Sequence, residues 1–79
     1  MPPMQILLIE DDPDIQKMVG MALRFTAGAQ VTAAGDGATG LALARSRQPG
    51  LILLDVMLPD MDGYDVAAAL QADPATRHI

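Results

Sequence analysis

Acidic side chains follow two short apolar runs in this sequence, where they could bind a cation. Asp55 comes directly after Leu51–Leu54, four large aliphatic residues in succession. Glu10 and Asp11 follow a second apolar run, Gln5–Ile9. If the two runs are neighbouring parallel strands, their carboxyl ends lie about 4.8 Å apart and the three carboxylates meet at one edge of a sheet. Carboxylates that close repel one another, and at least one pKa rises unless a cation neutralises the group.

The residue types in this group indicate which cation it would hold. Carboxylate oxygens without His or Cys favour a hard cation. Mg²⁺ is the usual occupant of an open carboxylate site, where it keeps several waters and accepts a phosphate oxygen. Asp is also a common loop residue, so Asp55 taken alone is equally well explained as the cap of a strand or a turn.

The residues around Asp55 predict the elements that position it. Leu51–Leu54 has no polar alternation, which predicts a strand buried on both faces in a parallel sheet covered by helices. Pro59 and the pair Asp62 and Gly63 predict that a loop follows at once. We therefore expect the side chain of Asp55 to be displayed at the strand end and not buried.

A helix is predicted between the first two strands, Gln5–Ile9 and Gln30–Ala34. Asp12 is a good N-cap, Pro13 suits the first helical position, and Gly28 ends the helix. Apolar and small residues recur within it at the spacing of one buried face. These residues are Ile15, Met18, Val19, Ala22, Leu23 and Thr26.

Two more helices are predicted, with Asp36 and Asp62 as their N-caps. The second helix stops at Pro49, and small residues on one of its faces allow a close approach to the sheet: Gly37, Gly40, Leu41 and Ala44. The third helix covers Gly63–Ala72, and the residues expected to face the sheet are Val66, Ala67 and Leu70. Thr76–Ile79 is typical of the approach to a further strand, and we expect its histidine, His78, to be solvated.

Composition restricts the class of protein. A chain of 79 residues holds one small core, and the absence of cysteine excludes disulfides and thiolate metal sites. No apolar run reaches the roughly 20 residues of a membrane span. The net charge is −5, and four acids lie in 10–14 and four in 55–65 out of ten in all. Because the charge is acidic and clustered at two strand ends, direct nucleic-acid binding by this segment is not expected.

The motifs Ile6–Asp12 and Leu53–Gly63, with Asp36 and Gly37 between them, resemble the amino-terminal part of a response-regulator receiver domain of two-component signalling. In the second motif an Asp is followed four residues later by Pro and seven later by Asp-Gly, a specific pattern after a buried strand. The resemblance implies an α/β fold, a flavodoxin-like (CheY-like) doubly wound parallel sheet with strand order 2-1-3. Residues 1–79 would then be a receiver domain of three βα units, incomplete at its carboxyl end.

The resemblance also implies roles for the acidic residues. Mg²⁺ would be held by the carboxylates of Asp11 and Asp55 and the backbone carbonyl of Met57, with Glu10 acting largely through water. Asp55 would be the phosphoacceptor for a sensor histidine kinase or phosphotransfer protein, or for a small phosphodonor. Such a protein is cytoplasmic, acts on an unidentified output domain or effector, and consumes itself as substrate, so it is not a turnover enzyme. The family's hydroxyl residue and lysine beyond the third unit have no counterpart here, since the only lysine, Lys17, belongs to the first helix.

Two other functions remain open from the residues. A phosphatase of the haloacid dehalogenase type also uses a strand-end Asp and Mg²⁺, but it needs an acid where Met57 stands. An interaction module that is never phosphorylated would use the acids only to bind a cation or a partner. Because the last two βα units of the family have no counterpart here, Leu51–Leu54 would form an exposed apolar edge. We therefore expect a molecule of only these residues to be marginally stable, or to pair as a homodimer or by a segment swap, unless the chain is part of a longer protein.

Overall fold

Strands and helices alternate in the computed structural model, which describes residues 2–79. The strands are β1 (Gln5–Ile9), β2 (Gln30–Ala34) and β3 (Leu51–Leu54). The helices are α1 (Pro13–Ala27), α2 (Gly37–Arg47) and α3 (Gly63–Ala72). The predicted elements are thereby confirmed, including the N-caps Asp12, Asp36 and Asp62, whose side chains accept hydrogen bonds from the first turns of their helices.

The three strands form one parallel sheet in the order β2-β1-β3, which confirms the predicted topology. In the pairing of β1 with β3, Ile9 lies opposite Leu54, so the residues that follow them also lie side by side. The backbone N–H of Asp55 continues the pairing by donating to the carbonyl of Ile9 at 2.9 Å. The register therefore places Glu10 and Asp55 at the same level of the sheet.

The core lies on the face of the sheet that α2 and α3 cover. Alternate residues of the central strand point to this face, and the buried cluster there consists of Leu7, Ile9, Ala34, Ala44, Val66 and Leu70. A Cβ placed on Gly40 of α2 would lie 2.5 Å from the Cδ1 atom of Ile9. The small residues of α2 therefore do allow the close approach that was predicted. Ala67 is exposed, however, so its predicted place against the sheet is wrong: it lies about 100° around the helix from Val66.

Helix α1 covers the other face only in part, which contradicts the predicted buried stripe. Met18 is 64% exposed and Ile15 38%, and Ala22 and Thr26 are also exposed, while only Gly20 is fully buried. The helix packs mainly against β2, so much of its apolar stripe stays exposed. Its apolar stripe is therefore wider than the surface available to bury it.

Strand β3 is an edge strand, so the prediction that it is buried on both faces is wrong. Leu51 is 41% exposed, and Ile52, Leu53 and Leu54 are half-buried. The related expectation, that this strand forms an exposed apolar edge, is confirmed within residues 2–79. Beyond α3 the chain makes turns, where the buried hydroxyl of Thr76 donates to the carbonyl of Leu70 at 2.8 Å.

Residues 76–79 do not form a fourth strand, and His78 is exposed. Between Pro2 and Ile79, no helix combines the length and the apolar character needed to cross a membrane.

Candidate functional site

Three carboxylates meet at the carboxyl ends of β1 and β3. One oxygen from each of Glu10, Asp11 and Asp55 can be chosen so that all three lie within 4.8 Å of one another. Glu10 is buried at the base of the group with 7% of its surface exposed, Asp55 is half-buried beside it, and Asp11 is exposed at the rim. The structure therefore brings together the three acids that the sequence singled out, and it leaves the group open to solvent on one side.

The surroundings of Glu10 disfavour its charged form. Burial raises the pKa of Glu10 above its ordinary value of 4.5, and the neighbouring Asp11 and Asp55 raise it further. The backbone N–H of Asp12, which donates to the Glu10 carboxylate at 3.3 Å, acts in the opposite direction. The group therefore holds more negative charge than its own hydrogen bonds can stabilise, which is the condition that a bound cation relieves.

Asp12 belongs to the helix and not to the acidic group. Its carboxylate accepts hydrogen bonds from the backbone N–H groups of Asp14 at 2.8 Å and Ile15 at 3.4 Å, and so caps α1. The side-chain amide of Gln16 donates to the carbonyl of Glu10 and ties the same helix to the end of β1. These contacts fix the turn that carries Glu10 and Asp11.

The loop after Asp55 is held against the start of α3 by a glycine. The N–H of Gly63 donates to the carbonyl of Val56 at 2.7 Å, and Met57 pairs with Asp62 in a short antiparallel bridge. A Cβ on Gly63 would overlap the backbone carbonyl of Asp55 and lie 2.9 Å from the Cα of Val56. The Asp-Gly pair of the motif is thus explained: Asp62 caps α3 and Gly63 permits the close approach. Met57 presents an exposed side chain in this loop, and the role of its carbonyl stays a prediction.

Asp60 is a residue to which the sequence analysis gave no role. Its carboxylate accepts hydrogen bonds from the backbone N–H groups of Gly37 at 2.7 Å and Ala38 at 2.9 Å, at the start of α2. These two bonds lower the pKa of Asp60 below its ordinary value of 3.8. The signal in the sequence was indirect: four N–H groups at a helix start need acceptors, and the N-cap Asp36 accepts only from Thr39.

Comparison with known proteins identifies this arrangement. The family model of the response regulator receiver domain matches residues 6–79. The chain belongs to the response regulator receiver domain family. Its three-stranded 2-1-3 sheet is part of the CheY-like receiver fold.

Sequence relatives of this receiver domain include response regulators with longer chains. The DNA-binding dual master transcriptional regulator RpaA of Synechocystis is 47% identical over 75 residues, which are 95% of this chain and 31% of RpaA. The chain spans about 30% of the length of RpaA and of two further curated relatives that it matches.

Solved structures of receiver domains superpose closely on this one. The N-terminal domain of a response regulator receiver protein from Methanoculleus marisnigri has a TM-score of 0.91 at 33% identity, covering 96% of this chain and 61% of that one. The receiver domain of the sensor histidine kinase PA1611 from Pseudomonas aeruginosa has a TM-score of 0.82 at 32% identity, covering 96% and 62%. The latter structure has a magnesium ion coordinated in its active site cleft.

Proposed function

We propose that Asp55 is the phosphoacceptor of this receiver domain, and that a sensor histidine kinase or phosphotransfer protein supplies the phosphoryl group. The observation that supports this assignment is the meeting of Asp55 with Glu10 and Asp11 at the carboxyl edge of the sheet. Asp55 is half-buried next to a buried acid and an exposed one, so it combines a fixed position with access from solvent. A nucleophilic carboxylate needs both properties.

Mg²⁺ is the cation that we propose for the acidic group. The donors are hard oxygens, and the raised pKa of Glu10 reflects a local excess of negative charge. We assign the carboxylates of Asp11 and Asp55 and the backbone carbonyl of Met57 as ligands, with Glu10 acting through water. The magnesium ion in the related Pseudomonas aeruginosa receiver domain supports this choice. The ion would supply charge neutralisation for a phosphoryl group that approaches three carboxylates.

The chemical step is an exchange of one bond for another. A carboxylate oxygen of Asp55 forms a bond to phosphorus while the bond between phosphorus and the histidine nitrogen of the donor breaks. The electron pair of the broken bond returns to the imidazole, and the product on this chain is an aspartyl phosphate. The chain contributes mainly orientation and electrostatics, as is typical of phosphoryl transfer. Because Asp55 is itself modified, the domain is a substrate of the reaction and not a turnover enzyme.

The role of the whole protein follows as part of the same proposal. Phosphorylation would switch an output domain or effector. The relative RpaA supports this proposal, because it is a DNA-binding transcriptional regulator. We propose that the three βα units belong to a longer receiver domain, that the protein acts in the cytoplasm, and that this segment does not itself bind nucleic acid. Its acids are concentrated at the site and next to it, where they would repel phosphates that carry no cation.

Phosphorylation of the purified protein tests the assignment. Incubation with acetyl phosphate and Mg²⁺ should add one phosphoryl group by intact mass, and a beryllofluoride salt with Mg²⁺ should give a saturable spectroscopic change. Asp55→Asn should abolish both signals, because an amide is a poor nucleophile for phosphorus. Asp65→Asn is the matched control, since Asp65 is an exposed acid in the first turn of α3 and lies outside the acidic group. An adduct that persists in Asp55→Asn would refute the assignment, and no adduct at all would favour a passive interaction module.

A further inference from the structure

Two acidic side chains from different parts of the sequence accept hydrogen bonds from the backbone N–H groups at the start of α2. Asp36 is the local N-cap and accepts from the N–H of Thr39 at 2.7 Å. Asp60 lies 23 residues beyond Gly37, in the loop between β3 and α3, and accepts from the N–H groups of Gly37 and Ala38. Asp36 would be sufficient to start a helix in the ordinary way. The bonds of Asp60 therefore do something further, which is to join this loop to α2.

The same loop touches α2 a second time through Met61. The side chain of Met61 lies directly over Gly37, where it leaves no room for a Cβ, and it packs against the buried core cluster. The end of the loop is fixed as well, because Gly63 lies against the backbone of Asp55 and Val56. Residues 56–62 are thus held between the acidic group and the start of α2.

We propose that Asp60 is a positioning residue for the cation site. Its two hydrogen bonds to α2 hold the loop that begins at Asp55, and so set the positions of the Met57 carbonyl and the Asp55 carboxylate relative to Asp11. This inference rests on the proposed function, in which those three groups bind Mg²⁺. Asp60 does not touch the ion; it acts through the loop, as partners behind metal ligands commonly do.

The charge of Asp60 suits this role. The N–H groups at a helix start carry partial positive charge, and a carboxylate that accepts two of them forms stronger bonds than a neutral acceptor. Asn at this position could accept from one N–H through its oxygen, but its amide would face the other N–H group, so the loop would be held less firmly.

Mg²⁺ affinity, measured by calorimetry on the purified protein, tests the proposal. We expect Asp60→Ala to weaken Mg²⁺ binding by about tenfold, which is the lower end of the range for residues that orient metal ligands. Asp60→Asn should weaken binding by a smaller factor. Asp36→Ala is the matched control, because it also removes a carboxylate from the start of α2 but has no bond to the loop. It should lower the thermal midpoint of unfolding and leave the Mg²⁺ affinity near that of the unmodified protein.

The outcomes separate this proposal from a general effect on folding and from the proposed function. Equal losses of Mg²⁺ affinity in Asp60→Ala and Asp36→Ala would overturn it, since α2 and not the loop would then be responsible. Unchanged affinity in Asp60→Asn and Asp60→Ala would also overturn it. If Asp60→Ala does not fold by circular dichroism, Asp60→Asn decides. Failure of the unmodified protein to bind Mg²⁺, or binding that Asp55→Asn leaves unchanged, would refute the proposed function instead.

Discussion

At the scale of single residues, the carboxylates of the acidic group repel one another, and the same arrangement suits them to bind a cation. Glu10 lies deepest, and burial together with Asp11 and Asp55 raises its pKa. The repulsion costs stability in the cation-free protein, because the charges are held together by the sheet whether or not a cation is present. A group of this kind favours binding of a cation over the intrinsic stability of the fold, as functional sites often do.

This repulsion predicts a pH dependence of stability. The folded protein holds a proton on Glu10 more tightly than the unfolded chain does, so the free energy of unfolding should fall as pH rises from 4.5 through the raised pKa. Asp60 and Asp73, whose pKa values are lowered, contribute with the opposite sign: their stabilisation is complete above 3.8 and is lost at lower pH.

Thermal unfolding in a chelator isolates the part of this dependence that belongs to Glu10. Relative to the unmodified protein, Glu10→Gln should gain stability as pH rises from 4.5 through the raised pKa of Glu10. Added Mg²⁺ should reduce the gain, because the cation relieves the same repulsion. A difference between the two proteins that does not change with pH would contradict this account.

At the scale of elements, two glycines in helices differ in whether the surrounding structure leaves room for a side chain. Gly63, the first residue of α3, lies against the backbone of Asp55 and Val56, whereas a Cβ on Gly20 of α1 would meet nothing within 4 Å. Of these two glycines, only Gly20 can take a methyl group without overlap. The comparison separates a glycine required by close packing from one that merely weakens a helix.

The same substitution at the two sites should therefore change stability in opposite directions. Gly63→Ala should lower the free energy of unfolding by about 1–3 kcal/mol, because backbone atoms must move to admit the methyl group. Gly20→Ala should raise it by about 1 kcal/mol through helix propensity alone. Urea unfolding measures both values, and a neutral or stabilising Gly63→Ala would show that the loop after β3 is not held as closely as described.

At the scale of the whole molecule, the sheet is well covered on one face and exposed elsewhere. The core of α2, α3 and β1 is close-packed, but β3 is an apolar edge strand and α1 has an uncovered flank with Met18 and Phe25 exposed. An edge of this kind presents unpaired backbone groups to any other strand. We therefore propose that these 79 residues, where no further strand covers β3, pair through it as a homodimer or by a segment swap.

Sedimentation velocity at micromolar concentration tests which surface is responsible for association. Leu51→Lys places a charge on the exposed edge strand and should shift the protein towards monomer. Phe25→Lys places the same charge on the α1 flank, where Phe25 is 85% exposed, and should leave association through the edge unchanged. A stable, well-folded monomer of the unmodified chain would contradict the expectation, and dissociation by Phe25→Lys alone would assign the contact to α1.

The sequence by itself determined the elements, their order and the acids at the strand ends. Strand runs such as Leu51–Leu54 and the caps Asp12, Asp36 and Asp62 act through near neighbours in the chain, so their effects can be predicted locally. The meeting of Glu10 with Asp55 followed from the parallel order of the strands, because carboxyl ends of parallel strands share one edge.

Only the tertiary structure decided which surfaces are covered and which distant groups meet. The apolar stripe of α1 predicts a buried face, but burial depends on a neighbour, and in the described chain α1 packs mainly against β2. The bonds of Asp60 to Gly37 and Ala38 span more than 20 residues and arise from how closely α2 and the loop pack. Periodicity and capping describe what one segment prefers, whereas such contacts depend on the relative positions of several segments.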